Sequence, residues 1–444
     1  MAQRKTDRKN LQGEQTRTRI LEETMHLTAR YGYDGTKLAM VRKATGLSAS
    51  SIYWHFANKD QLIAAALEQA FTVQSQSLPN WLESSPGESR RADLYSNILQ
   101  LPRLDSKMDY WRFGLQLTVV HPPVASPARD RFLQIRREST DWLARWWERT
   151  LPEQMEQRKA AALLLGRCTL AIRDSEFIQR HGSRQLDGGR VTWLISACLD
   201  IMADLTVELA PDRRLDAVFE PVPPVYEPVP SAAAAGAEGG REAFLRAAEE
   251  TIAEFGYDGV TVARVCEKAA LPASSLYWSF KDKDALIATV IDNARRGWET
   301  ARPNLQPRPA DGDWSVILRG FFLRALEGRA AETRIRRLGL LLMLQPAVGP
   351  EGSSQRLEPV LQSMQSMTGE WLRSVLSPEL AEEPRAELAD YLSECIFRIL
   401  DGLMLSRQID GSHWDPEVLA ELTSTALYRV AALVQGGDTI PGGS

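Results

Sequence analysis

The chain has 444 residues, enough for several domains with buried cores, and it contains no run of about 18 apolar residues that would predict a membrane span. Its net charge of −5 does not by itself indicate a nucleic-acid partner, but residues 1–62 hold 11 Lys or Arg against 6 Asp or Glu. Four cysteines without CxxC spacing and a polar N-terminus without a signal-peptide stretch predict a cytoplasmic protein that lacks disulfides and metal sites.

The N-terminal part of the chain predicts a basic arm and a series of short helices. Residues 1–13 are polar and are expected to be disordered. Helices are predicted over about 14–31 and 37–44, each ended by a glycine, and over 49–55, where a serine precedes the first residue as N-cap. A longer helix begins at about residue 59. Two short helices joined by a glycine-containing turn, with another helix behind them, predict a helix-turn-helix.

The second short helix of this motif carries an aromatic run. The helical spacing directs Ile52 and Phe56 to the core and leaves Tyr53, Trp54 and His55 outside. An exposed aromatic run is costly unless another molecule covers it, and the major groove of DNA would do so. The alternative is that Tyr53 and Trp54 pack on the helix behind them.

The same motif returns later in the chain. Residues 32–64 align without a gap on residues 256–288, and 18 of these 33 positions are identical. The helical remainders match more weakly, with Cys168–Asp174 lying over Cys395–Asp401. The whole chain is therefore predicted to be a duplication.

Composition and repeat together divide the chain into seven segments. The breaks follow the two motifs and a stretch rich in Pro, Ala and Gly that separates the halves. The predicted segments are the disordered arm 1–13, the first helix-turn-helix 14–62, the first helical regulatory domain 63–210, the linker 211–240, the second helix-turn-helix 241–286, the second regulatory domain 287–435 and the flexible tail 436–444.

Four motifs of the first half resemble those of the TetR family of transcriptional regulators. They are Gly32-Tyr33-Asp34-Gly35, Gly46-Leu47-Ser48, Ile52-Tyr53-Trp54-His55-Phe56 and Lys59-Asp60-Gln61-Leu62. The resemblance implies an all-α fold of two TetR-like units, each with an N-terminal three-helix DNA-binding domain and a larger ligand-binding and dimerisation domain. It also implies that the last two helices of each half pair into a four-helix interface.

The resemblance also implies which residues contact DNA. In the first half the phosphate contacts fall on Lys37, Tyr53, His55 and Lys59, and the base-reading positions on Ala39, Ala49, Ser50, Ser51 and Trp54. In the second half they fall on Thr261, Tyr277, Ser279 and Lys283, and on Ala263, Ala273, Ser274, Ser275 and Trp278. The second copy departs from the first: Ser279 replaces His55, and Pro272 replaces the capping Ser48. Residues 238–286 also hold 6 basic and 9 acidic residues.

The expected function is that of a DNA-binding regulator, a repressor released by a small hydrophobic effector, whose single chain reads both half-sites of an imperfect inverted repeat. No catalytic residues, cofactor or metal are expected, because the five histidines are scattered and no phosphate loop or nucleophile motif occurs. The alternatives are a second half that only binds ligand or pairs, and a homodimer in place of a pseudo-dimeric monomer. Ligand-binding residues stay unassigned; some aromatic and apolar residues either line a pocket or form plain core: Trp111, Phe113, Leu115, Leu117, Trp142, Trp146 and Trp147.

Overall fold

The structure is a computed structural model, and every regular element in the residues that it describes is helical, which confirms the predicted all-α class. The described residues are 2–77, 89–100, 109–119, 126–177, 186–219, 239–255, 260–300, 305, 312–327, 339–340, 343–344, 353–410 and 414–436. The first half contains α1 (Ala2–Gly35), α2 (Leu38–Thr45), α3 (Ala49–His55), α4 (Lys59–Ser77), α5 (Arg90–Gln100), α6 (Asp109–Val119), α7 (Pro127–Thr150), α8 (Arg158–Ser175), α9 (Gly188–Leu209) and a 3-10 helix (Leu215–Phe219). The second half contains α10 (Gly240–Phe255), α11 (Val262–Ala269), α12 (Ala273–Ser279), α13 (Lys283–Thr300), α14 (Ser315–Glu327), α15 (Ser353–Val375), α16 (Glu382–Asp410) and α17 (Pro416–Gln435).

The first helix is longer than the sequence predicts. It begins at Ala2 and not at Glu14, so the arm that was expected to be disordered is helical. Arg, Lys, Gln and Leu favour helix, and no proline interrupts these residues. Gly32, with a φ of 68°, interrupts the helical backbone at the predicted stop.

Each half begins with a three-helix head, and a fourth helix packs against the first helix of that head. In the first head α1 packs against α2 and α4, and α2 packs against α3; in the second, α10 packs against α11, α12 and α13. Gly46 ends α2 with a φ of 68°, and Ala270 ends α11 with a φ of 52°, in the same left-handed region. The two heads therefore turn between their short helices in the same way, although only one has glycine there.

The last two helices of the first half pack against the last two of the second half. Helix α8 contacts α16, and α9 contacts both α16 and α17. Gly402 in α16 approaches α8 so closely that a Cβ atom would overlap the carbonyl group of Ala171. At the margin, Arg429 donates to both carboxylate oxygens of Glu208 at 2.9 and 3.0 Å. Residues of both halves thus share one hydrophobic core within a single chain.

The first residues of the predicted linker are docked on this core. Leu215 and Val218 of the 3-10 helix are buried. The side-chain oxygen of Gln157 accepts the Leu215 N–H at 2.8 Å, and the Asp415 N–H at the start of α17 donates to the Val218 carbonyl at 2.9 Å. The linker therefore contacts both halves before residues 220–238, which lie outside the described residues.

Three further observations concern membrane spans, metal ligands and cysteines in the part of the chain that the structure describes. None of its helices is long and apolar enough to cross a membrane. Among the same residues, no group of three or more His, Cys, Asp or Glu side chains has the arrangement of a metal site. All four cysteines are free, and Cys168, Cys198 and Cys395 are buried.

Candidate nucleic-acid interface

The recognition helix of the first head presents the predicted aromatic run to solvent. Ser48 caps α3 by accepting the Ser51 N–H at 3.2 Å, which fixes where the helix begins. Ile52 is 1% exposed and faces the core, whereas Tyr53 is 53% and Trp54 is 80% exposed. The alternative in which these rings pack on the helix behind them is therefore wrong for this head.

The second head repeats this geometry without the serine cap. Pro272 stands at the N-cap of α12 and makes no side-chain hydrogen bond there. Leu276 is buried, while Tyr277 is 56% and Trp278 is 91% exposed. Both heads thus expose a large aromatic pair that no described residue covers, which is the surface that a DNA groove would bury.

The smaller predicted base-reading residues lie on the same helices as these aromatic pairs. Ala39, Ser50, Ala263, Ala273 and Ser274 are exposed, and Ala49, Ser51 and Ser275 are half-buried. Their short side chains leave the backbone of each recognition helix accessible to base edges. Their role in base reading stays a prediction.

The predicted phosphate-binding lysines are held differently in the two heads. The Lys59 ammonium lies 4.5 Å from the centroid of the Tyr33 ring, and the Tyr33 hydroxyl donates to Asp60. Lys283, at the matching position, donates to the Val260 carbonyl at 3.1 Å. Both ammonium groups therefore stand at the start of the helix that follows the recognition helix, each with an internal contact.

The N-caps of the preceding helices also differ. Thr261 accepts the Arg264 N–H at 3.2 Å and caps α11, whereas Lys37 makes no cap hydrogen bond for α2. Both side chains are exposed. The first head therefore has a cation where the second has a helix cap, so Lys37 remains available to a phosphate.

His55 and two arginines complete the charged surroundings of the recognition helices. Partial burial, together with the positive charge of Arg17, lowers the pKa of His55 below its ordinary value. The guanidinium carbon of Arg17 lies 5.5 Å from the centroid of the Phe56 ring, and Arg241 lies at 5.1 Å from Phe280. The sequence predicted no DNA contact for Arg17 or Arg241, and each arginine entered only the charge count of its head. The shift of 224 that relates the two copies also relates these arginines.

A buried polar network joins the first regulatory domain to the second half. The fully buried carboxylate of Asp174 accepts the Trp111 indole N–H at 2.7 Å and an Arg136 N–H at 2.5 Å. Arg136 also donates to the Ser406 hydroxyl at 3.2 Å, across the contact between halves. Burial raises the pKa of Asp174, and the Arg136 charge opposes this shift. Since Trp111 lies on α6, which packs on α1, the network connects the interface between halves to the first head.

Most of the aromatic residues that the sequence analysis named as candidates for pocket lining lie in the core. Phe113, Trp146 and Trp147 are at most 2% exposed. The half-buried Trp142 stacks on Phe71 of α4, with 5.8 Å between the ring centroids. The rings are thus buried or stacked within the first half, and the effector-binding residues stay unassigned.

Comparisons with known proteins agree with this geometry. Residues 20–66 and 244–290 match the family described as Bacterial regulatory proteins, tetR family, and both recognition helices lie inside the matched segments. The HTH-type transcriptional regulator BetI of Cronobacter sakazakii is 23% identical over 193 residues, which are 43% of this chain and 91% of that protein.

Two shorter matches cover the DNA-binding region of known repressors. The tetracycline repressor protein class C of Escherichia coli is 35% identical over 89 residues, 19% of this chain and 39% of that protein. The HTH-type transcriptional repressor AcnR of Corynebacterium jeikeium is 28% identical over 99 residues, 22% of this chain and 47% of that protein. Each of these two matches covers less than half the length of the repressor concerned.

Proposed function

Since the chain is a tandem TetR-family regulator with two TetR-like halves, we propose that it is a repressor that binds both half-sites of one imperfect inverted repeat. The observation that carries the proposal is the exposed aromatic pair on each recognition helix, Tyr53-Trp54 and Tyr277-Trp278. The predicted base-reading residues are also identical in the two heads. Two heads with the same contact residues recognise similar half-sites, so the operator has two related arms. The protein acts in the cytoplasm, without a catalytic step or a cofactor.

The two heads contribute unequally to affinity. The first head has His55, a local excess of basic residues and Lys37, whose side chain makes no capping hydrogen bond. Residues 238–286 of the second head hold 6 basic against 9 acidic residues. Phosphate contacts supply most of the salt-dependent part of DNA affinity. The first head therefore dominates binding. In the alternative function, only the first half binds DNA and the second half binds ligand or pairs.

Operator selection followed by matched substitutions tests the proposal. Genomic fragments retained by the purified chain at moderate salt are sequenced, and the affinity of Tyr53→Ala and Tyr277→Ala for the selected operator is compared. We expect both variants to bind more weakly and the loss to be larger for Tyr53→Ala. Val316→Ala, at an exposed position on α14, is the control.

Other results of the operator selection or of the tyrosine substitutions would contradict parts of the proposal. Retention of no fragment above non-specific background contradicts DNA-binding regulation by this chain. Equal losses contradict the asymmetry between heads, and two unrelated half-sites contradict the shared readout. A Tyr277→Ala variant with wild-type affinity supports the alternative in which the second head does not touch DNA.

We also propose that one chain supplies both heads, in place of a homodimer with four. The shared core of α8, α9, α16 and α17 and the pairs that cross it support this arrangement. Two halves joined by a linker meet at a high effective concentration, which favours pairing within a chain over pairing between chains. Light scattering at micromolar concentration is expected to give the mass of one chain, and a doubled mass that persists on dilution would contradict the proposal.

The effector is proposed to be a small hydrophobic molecule that releases the operator. The apolar interior of each regulatory domain supports this chemistry. An effector releases DNA only if it binds the free conformation more tightly than the bound one. Hydrophobic compounds are therefore screened for a fall in operator affinity, with Tm as the readout of binding. A compound that raises the Tm and leaves operator affinity unchanged is a ligand but not the effector.

A further inference from the structure

An exposed arginine lies over the residue that ends each recognition helix. Phe56 and Phe280 are the C-caps of α3 and α12, and both are buried. The guanidinium carbons of Arg17 and Arg241 lie 5.5 and 5.1 Å from the centroids of these rings. Both arginine and phenylalanine keep their places in the repeat, so the contact was duplicated with the module.

Neither arginine uses its hydrogen-bond donors inside the described part of the chain. No acceptor or carboxylate there lies within bonding distance of the Arg17 or Arg241 guanidinium, and both side chains are exposed. Arg19, two residues further along α1, instead donates to the Thr45 carbonyl. A guanidinium that rests on a ring keeps the N–H groups at its edge free, and these match two oxygens of a phosphate.

The position of the contact relates it to the predicted phosphate side of the head. The Arg17 charge is close enough to His55 to lower the pKa of that imidazole. In the second head Ser279 stands where His55 would be, but Arg241 and Phe280 are retained. The second head has therefore lost the imidazole beside its recognition helix and kept the guanidinium.

From these contacts we infer that Arg17 and Arg241 each bind an operator phosphate at the C-terminal end of a recognition helix. The inference rests on the proposed DNA-binding function and adds a residue pair to it. It also assigns the second head a cationic phosphate contact of its own, although the net charge of that head is negative.

The test measures operator affinity against salt for the full chain and four variants. Arg17→Gln and Arg241→Gln are each expected to make the negative slope of log K against log salt shallower by about 0.9. If a variant binds like the wild type at 1 M salt, this change weakens its binding about eightfold at 0.1 M salt. Because phosphate contacts are independent of sequence, binding to a scrambled fragment falls by the same factor. Arg145→Gln, at an exposed position on α7, is the control for the change in net charge and is expected to keep the wild-type slope.

Thermal unfolding and a charge-retaining variant separate this role from a structural one. Arg17→Lys is expected to keep most of the salt slope, with the Tm of all variants unchanged. A lower Tm with an unchanged slope in Arg17→Gln would mean that the arginine only packs on Phe56, and would overturn the inference. An unchanged slope in Arg241→Gln alone overturns it for the second head. A wild-type chain that binds no DNA overturns both the inference and the proposed function, whereas wild-type binding with unaltered variants overturns the inference alone.

Discussion

Ala270 is the one non-glycine residue with a positive φ among the residues that the structure describes. An L side chain in the left-handed region costs about 1–2 kcal/mol, and glycine avoids this cost. We expect Ala270→Gly to raise the free energy of unfolding of the second head by about 1 kcal/mol, and Gly46→Ala to lower that of the first head by a similar amount. Urea unfolding followed by circular dichroism measures both changes in the free energy of unfolding. A destabilised Ala270→Gly variant would contradict the backbone strain inferred at Ala270.

His55 gives the first head a pH dependence that the second head lacks. Burial and the Arg17 charge lower the pKa of His55 in the free protein, so its imidazole is neutral at pH 7. A nearby phosphate favours the protonated form, so DNA binding takes up a proton and operator affinity rises as the pH falls. The rise begins below the pKa of the complex and levels off below the pKa of the free protein, which is less than 6.5.

The measurement is an affinity titration at constant ionic strength between about pH 7.5 and 5.5. Replacement of His55 by the residue of the second head, in His55→Ser, is expected to flatten the dependence without changing the fold. A variant that retains the full wild-type rise would show that other groups take up the proton.

At the scale of elements, the network around Asp174 holds four helices together. Asp174→Asn removes the carboxylate that is hydrogen-bonded to the buried Arg136 guanidinium, and breaking a buried ion pair typically costs about 3–5 kcal/mol. We expect the free energy of unfolding to fall by about this amount, and Asp216→Asn, at an exposed ion pair, to change it little. Denaturant unfolding of the full chain tests both variants. An Asp174→Asn chain as stable as wild type would mean that the buried pair contributes no net stability.

The short helices of the heads follow from local sequence signals, whereas the contacts between halves do not. The Ser48 cap and the spacing of Ile52 and Phe56 set α3 and the exposure of its aromatic run from neighbouring residues alone. The left-handed Ala270 was not predictable, because the tertiary packing of the head overrides the preference of an alanine. Likewise Asp174 meets Ser406 only through the fold, since no spacing in the sequence relates residues so far apart.

At the scale of the whole molecule, the linker was predicted as one loose segment, but its first residues are docked. Leu215 and Val218 look unremarkable in a stretch dominated by proline and charge, and their burial depends on a surface that both halves must form first. The arm at residues 2–13 differs in the same sense, because its polarity suggested disorder while its helix-favouring residues continue α1. Composition thus indicated a linker between the halves, and packing places its first residues on the shared core.

The pairing of α8 and α9 with α16 and α17 inside one chain affects how the regulator responds to its own abundance. A homodimeric regulator assembles before it binds, so at low concentration operator occupancy rises with the square of the chain concentration. In the proposed form, in which one chain binds the operator, this step is omitted and occupancy rises in direct proportion to the chain concentration. We expect an operator titration well below micromolar concentration to give a log–log slope of one, and a slope of two would contradict it. A cell that makes only a few copies of such a protein would still keep its operator occupied in proportion to their number.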